Sequence, residues 1–267
     1  MELYLNLPYY AELGVSVVFS VLLTWLLMLL VHTLVPFSLR ESNNDLTAFV
    51  FSSLGIFSAL IISTVLVMAI AHFDAANEAV GLEANMVGDL NRAGRGVSPE
   101  FSKKLSEKVR NYMQVVSVLE WDLEHHDQNA LREREAINDL SRYVASFQPK
   151  TLREASYQRE MIKRLGNLYD ARRNRAAQPA PAIPSQLFMV SVVIGVLTLV
   201  FALLYGASNR IMHLALVSLL AVAMGATYSL ILVFDAPFNG DLVASNQPYL
   251  DILDHLEKNN KFFQNNK

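Results

Sequence analysis

The chain has 267 residues, of which 52% are hydrophobic and 18% charged, below the roughly one quarter of charged residues that soluble domains carry. A formal net charge of −3 argues against nucleic acid as a partner. The absence of cysteine removes disulfides, thiolate metal sites and cysteine nucleophiles.

Four long runs lack Asp, Glu, Lys and Arg: Leu13–Leu39, Leu46–Phe73, Ala176–Asn209 and Ile211–Phe234. Each exceeds the roughly 20 residues that a helix needs to cross about 30 Å of hydrocarbon. They predict an all-α membrane protein with two transmembrane hairpins and a charged helical domain between them. The N-terminal hairpin occupies 1–73, with spans at about 13–37 and 47–73, and the helical domain 74–184. The C-terminal hairpin occupies 185–234, with spans at about 185–206 and 211–234, and a tail covers 235–267. The first run is too long for a signal-peptide core, and no Lys or Arg precedes it, so it is expected to remain as a span.

The first span carries Ser16, Ser20 and Thr24 at i, i+4, i+8, a small polar stripe that suits either close helix packing or a wet path. Pro36 ends this helix, and Ser42–Asp45 forms a turn and cap before the next. In the second span nothing interrupts the helical pattern at the membrane edge. Phe73, Ala76, Val80, Ala84 and Val87 prolong an apolar face, and Asp74, Glu78, Gly81, Asn85 and Asp89 prolong the opposite one. Followed back into the membrane, the polar face passes through Ser63, Leu60, Ile56 and Ser53, with Thr64 beside it. Residues 74–91 hold four carboxylates and no Lys or Arg.

Gly94 and Gly96 break the long helix, and Ser98-Pro99-Glu100 starts another. Its apolar stripe is Phe101, Leu105, Val109, Tyr112, Val116, Leu119 and Leu123. Further helices are expected over 129–147, with Leu131, Ile137, Leu140 and Val144 inward, and over 152–175, with Ala155, Ile162, Leu165 and Tyr169 inward. Pro179, Pro181 and Pro184 stiffen the return to the membrane. In the fourth span Ala221, Gly225 and Ser229 form a face of small residues, read as helix packing. A turn at Asp235–Gly240 leads into a short amphipathic helix with Tyr249, Ile252, Leu253 and Leu256.

Three clusters allow two readings each. Glu120, Glu124, His125, His126 and Asp127 suggest a metal, but lack the two-histidine i, i+4 pair of helical zinc sites and also suit a solvated helix end. His32 and His213 share a leaflet, either as a proton relay or as interfacial imidazoles. Asp74, Glu78, Glu83, Asp89 and Asp235 form either an acidic vestibule that concentrates cations or a solvated face paired with Arg172, Arg173 and Arg175. No catalytic triad, Walker loop or dinucleotide glycine pattern is present, so neither an enzyme nor a cofactor is expected.

The segment Asp235-x-Pro237-Phe238-x-Gly240, followed by Ser245-x-x-Pro248-Tyr249, resembles the bacterial bestrophin-like domain family. Asn246 stands where proline is usual there and Tyr249 where leucine is usual. Glu83-Ala84 with Arg92, Arg172-Arg173-x-Arg175 and Pro184 are similar to that family too, and Phe188 replaces a common tryptophan. The resemblance implies kinship with bestrophins, which are oligomeric anion channels with four membrane helices per subunit and a pore lined by the second. By that analogy the chain is expected to be a homo-oligomer, with a pentamer the stoichiometry the family suggests, whose partners are the lipid bilayer, further copies of itself and small ions.

The reading that follows is an ion channel of the bacterial inner membrane. Seventeen Lys and Arg between residues 74 and 185 place the N-terminus, middle domain and C-terminus in the cytoplasm. Ser53, Ile56, Leu60, Ser63 and Thr64 line the path, and the acidic set tunes its mouth. The alternative is a non-conducting scaffold or sensor whose middle domain binds a partner.

Overall fold

The computed structural model describes residues 8–119 and 126–265, all helical apart from short connections. In chain order the helices are α1 (Tyr9–Leu34), α2 (Phe37–Ser42), α3 (Asn44–Gly94), α4 (Pro99–Leu119), α5 (His126–Ser146), α6 (Leu152–Ala177), α7 (Ser185–Leu203), α8 (Arg210–Phe234) and α9 (Gln247–Asn265). Four of them, α1, α3, α7 and α8, are long and apolar enough to span a bilayer. This is the predicted arrangement of two membrane hairpins flanking a helical region. The chain divides into two compact units, one reaching to Phe73 and including Ala180–Leu242, the other comprising Asp74–Pro179 and Val243–Lys267.

In the membrane unit, α8 buries one residue per turn, His213, Val217, Ala221, Gly225 and Ser229. Small side chains at this spacing let a neighbouring backbone approach. That neighbour is α1, where the Ser20 hydroxyl donates to the Ala221 carbonyl at 2.8 Å. A methyl on Gly225 would overlap Ser20 Oγ and lie 2.9 Å from the Ser16 carbonyl oxygen. Ser16 and Ser20 therefore face α8, and Thr24, wholly buried, returns its hydroxyl to the Ser20 carbonyl. Tyr228 of α8 donates to the Ser191 carbonyl of α7 at 2.6 Å. Val65 and Ala69 of α3 pack with Ile183 and Ile231, and Phe73 meets Phe234 with ring centroids 5.2 Å apart. At the opposite end of the spans, Asn44 and Gly206 exchange a side-chain to backbone pair at 3.1 and 2.8 Å, which ties the two tight loops together.

In the second unit, α3 continues past Phe73 without a break and ends where Gly94 packs against Leu105. Ser98 Oγ accepts from the Phe101 N–H, and Thr151 Oγ1 from the Glu154 N–H, so serine and threonine cap α4 and α6. Phe101, Leu105, Val109, Tyr112 and Val116 of α4 are buried, as are Ile137, Leu140 and Val144 of α5. Leu119 and Leu123 lie outside the residues whose side chains are described. Two helices depart from their expected inward faces, α5 only at Leu131. On α6 the buried positions are Met161, Leu165, Leu168, Ala171 and Arg175, and Ile162 is 51% exposed. On α5 Leu131 is exposed while Glu133 is buried. In both cases a charged residue occupies the inward face.

Substitutions at two glycines separate packing from propensity. Gly225→Val should destabilise the protein by about 1–3 kcal/mol, because α1 offers no room for the side chain. Gly166→Ala, with open space around the added carbon, should stabilise α6 by about 0.5–1 kcal/mol. Thermal unfolding of the full chain in detergent gives both signs.

Candidate functional site

The long helix α3 has two faces. Counted at 3.6 residues per turn, its buried positions in the membrane part are Ser58, Val65, Ala69 and His72. The count continues through Ala76, Ala79, Val80, Glu83, Val87 and Leu90, all buried within the second unit. Half a turn away, Ile56 is 72% and Leu60 63% exposed, and Ser63, Thr64, Asp74 and Glu78 are exposed as well. Ser53 on this side is half-buried. Phe49 and Val67 belong to the same exposed row. They were missed because apolar residues in a membrane helix do not announce which face they occupy.

The hydroxyls on this face are bonded within the helix. Ser53 donates to the Phe49 carbonyl at 3.0 Å, and Ser63 and Thr64 donate to the Leu60 carbonyl at 3.0 and 2.7 Å. With the proton used, each hydroxyl presents an oxygen lone pair outward. Within this row the large apolar side chains of Ile56 and Leu60 lie between Ser53 on one side and Ser63 and Thr64 on the other, in a stretch of helix with no charge.

The five acidic candidates have four different surroundings. Asp74 and Glu78 stand exposed on α3. Asp89 accepts from Arg164 at 2.9 Å and pairs with Arg92 at 3.4 Å. Asp235, which follows α8, accepts the Ala182 and Ile183 backbone N–H groups at 3.1 and 3.2 Å and so clasps the segment entering α7. Partial burial pushes its carboxyl above the usual range, and these two donors pull it back.

Glu83 is fully buried at the centre of a charged cluster that joins five helices. Arg175 of α6 donates Nε to Glu83 Oε2 at 2.5 Å and Nη2 to Glu133 of α5. Arg172 donates to Glu133 at 2.7 Å. Tyr112 of α4 donates to Glu83 Oε1, and Tyr249 of α9 to Oε2 at 3.2 Å. Two guanidiniums face two carboxylates, which meets the requirement that buried charge be paired and hydrogen-bonded. Burial, reinforced by the Glu83 charge, holds the Tyr112 phenol well above its usual range, so it remains a donor. Tyr249, at the position where the resemblance has leucine, adds the fifth helix to this cluster. Tyr112 and Glu133 were not singled out from sequence. Each is an ordinary member of its helical pattern, and only the fold brings them to Glu83.

His32 and His213 bond separately, to the Met28 carbonyl at 2.8 Å and the Ala202 carbonyl at 3.0 Å. The acidic and histidine run Glu120–Asp127 falls outside the residues whose side chains are described. Among the described residues no three His, Asp or Glu side chains converge as a metal site would require.

The fold and its charges define a class, a four-span helical membrane protein with a helical unit inserted between its hairpins. A bestrophin-like domain matches residues 18–249, so the chain belongs to the bestrophin-like family. Among solved structures it is similar to a bacterial bestrophin homologue from Klebsiella pneumoniae carrying one substitution, with TM-score 0.58 and 15% identity over 91% of this chain and 97% of that one. Two structures described as membrane proteins, each with a single substitution, give TM-scores of 0.61 and 0.60 at 14% and 15% identity. They cover 93% and 91% of this chain and 97% and 96% of theirs. No curated protein matches.

The cluster makes a quantitative prediction. Glu83→Gln or Arg175→Met alone should cost about 3–5 kcal/mol, since each leaves a buried charge uncompensated. The double variant should cost less than the sum of the two. Chemical unfolding of the full chain in detergent closes this cycle.

Proposed function

We propose that the protein is a homo-oligomeric ion channel of the bacterial inner membrane, with the exposed row of α3 from each copy lining the path. The observation that carries this reading is the continuity of that row. Oxygen acceptors and exposed apolar residues follow one another from Phe49 to Val67, and exposed Asp74 and Glu78 continue the same helix face. Ile56 and Leu60 form an apolar constriction that gates by dewetting. Ser53, Ser63 and Thr64 wet the path on either side. Asp74 and Glu78 place a negative potential at its mouth, which favours cations. Membership of the family supports conduction in general. The acceptor oxygens and carboxylates argue for the sign of the ion from this chain's own residues. The excess of Lys and Arg between the hairpins puts that mouth on the cytoplasmic side.

Recordings from purified protein in planar bilayers test this. Wild type should conduct, and Leu60→Ser should raise the conductance by wetting the constriction. Under a salt gradient, Asp74→Asn with Glu78→Gln should move the reversal potential away from the cation limit. Silence in both wild type and Leu60→Ser would overturn the reading and leave the non-conducting scaffold in its place.

A further inference from the structure

At the loop end of the membrane unit lies a buried cation that no carboxylate among the described residues pairs with. Arg40 of α2 is only 5% exposed. Its guanidinium meets His32 Nε2 at 3.4 Å and lies 5.9 Å over the Phe37 ring. The His32 Nδ1 proton is committed to the Met28 carbonyl, so Nε2 offers a neutral lone pair and no counter-charge. Arg40 Nε is buried without a hydrogen-bond partner. Arg210, which opens α8, is close enough that its charge opposes that of Arg40, and burial with this repulsion holds the Arg40 guanidinium below its usual value. Glu41 and Asp45, the nearest carboxylates in sequence, are exposed, and no ion pair to Arg40 occurs among the described residues.

This arrangement is not a loose surface. Gly206 packs so tightly on the Arg40–Glu41 backbone that an added carbon would lie 2.6 Å from Glu41 Cα. The Asn44 to Gly206 pair locks the same two loops. Arginine is almost never buried without a partner, because its desolvation is uncompensated. A buried guanidinium with an unpartnered Nε, and exposed Arg210 four residues beyond the Gly206 that packs on its backbone, call for an oxyanion, and planar guanidinium forks suit phosphate. The surroundings point to one source. Phe37, Leu39, Tyr205, Ile211 and Met212 are all exposed around the site, at the ends of membrane-spanning helices where acyl chains meet headgroups. An apolar rim beside a cationic centre fits an amphiphile better than a free ion.

We infer that Arg40 and Arg210 bind the phosphate of a phospholipid headgroup at the loop end of the membrane unit. This does not depend on whether the protein conducts ions. Delipidated full-length protein in detergent is titrated with phosphatidylglycerol, phosphatidylcholine, diacylglycerol and inorganic phosphate. Thermal unfolding and native mass spectrometry are followed. Both phospholipids should raise the unfolding midpoint and appear as bound adducts, because a ligand that binds only the native state stabilises it. Diacylglycerol and inorganic phosphate should do neither. Arg210→Gln should cut the phospholipid shift by at least half and Arg40→Gln should remove it, while Arg92→Gln, in the other unit, should leave it intact. Should Arg40→Gln fail to fold, Arg210→Gln decides alone. An equal shift from inorganic phosphate would make the site one for free anions. An equal shift from diacylglycerol would make it apolar. Full retention of the phospholipid shift in Arg210→Gln, with a smaller oligomer, would assign the counter-charge to a second copy. Each of these three results overturns the inference.

Discussion

The constraint on which the rest depends is that α3 keeps two chemically distinct faces over 51 residues. A helix in lipid satisfies its backbone internally, so only side chains decide what each face does. On one face Val65 and Ala69 pack with Ile183 and Ile231. On the other, serine and threonine return their protons to the helix and leave oxygen outward. Because the helix does not break at Phe73, the same count of residues carries both faces beyond the hydrocarbon region, and carboxylates then appear on each.

Those carboxylates have opposite fates because the two faces have opposite surroundings. Asp74 and Glu78 remain in contact with solvent and keep their hydration. Glu83 lies on the core face, where an ionised carboxylate without partners would be intolerable. The second unit is built around that demand. It turns Arg175 inward from α6 and Glu133 inward from α5, and adds two phenols. The cost is visible elsewhere, in Ile162 and Leu131, which are displaced to the surface when Arg175 and Glu133 take the inward positions. Arg40 is the contrasting case within the membrane unit, a buried cation with no ion pair to a carboxylate among the described residues.

Much of this was readable from the order of residues. Runs without charge longer than a bilayer is thick admit few structures, and glycine and proline punctuated them at Gly94, Pro99 and Pro184. The apolar periodicity of α4 gave its core face from Phe101 to Val116. On α6, however, of the expected set Ala155, Ile162, Leu165 and Tyr169 only Leu165 is buried. Periodicity weighs hydrophobicity, and an arginine in the core contributes the wrong sign to that count. The acidic candidates were all found, but as one group, since sequence shows charge and not what faces it.

By itself, then, the sequence determined the four spans, the all-helical insert, the polar row along α3 and the kinship with the bestrophin-like family. Each of these follows from local composition and period, which the chain carries in every window. Tertiary structure alone decided which of the carboxylates is buried, that Tyr112 and Tyr249 serve it, and that Arg40 is enclosed. These contacts join residues up to 166 positions apart, as between Glu83 and Tyr249. Burial turns a common charge into a costly one, and burial is a property of packed surfaces that no stretch of sequence contains.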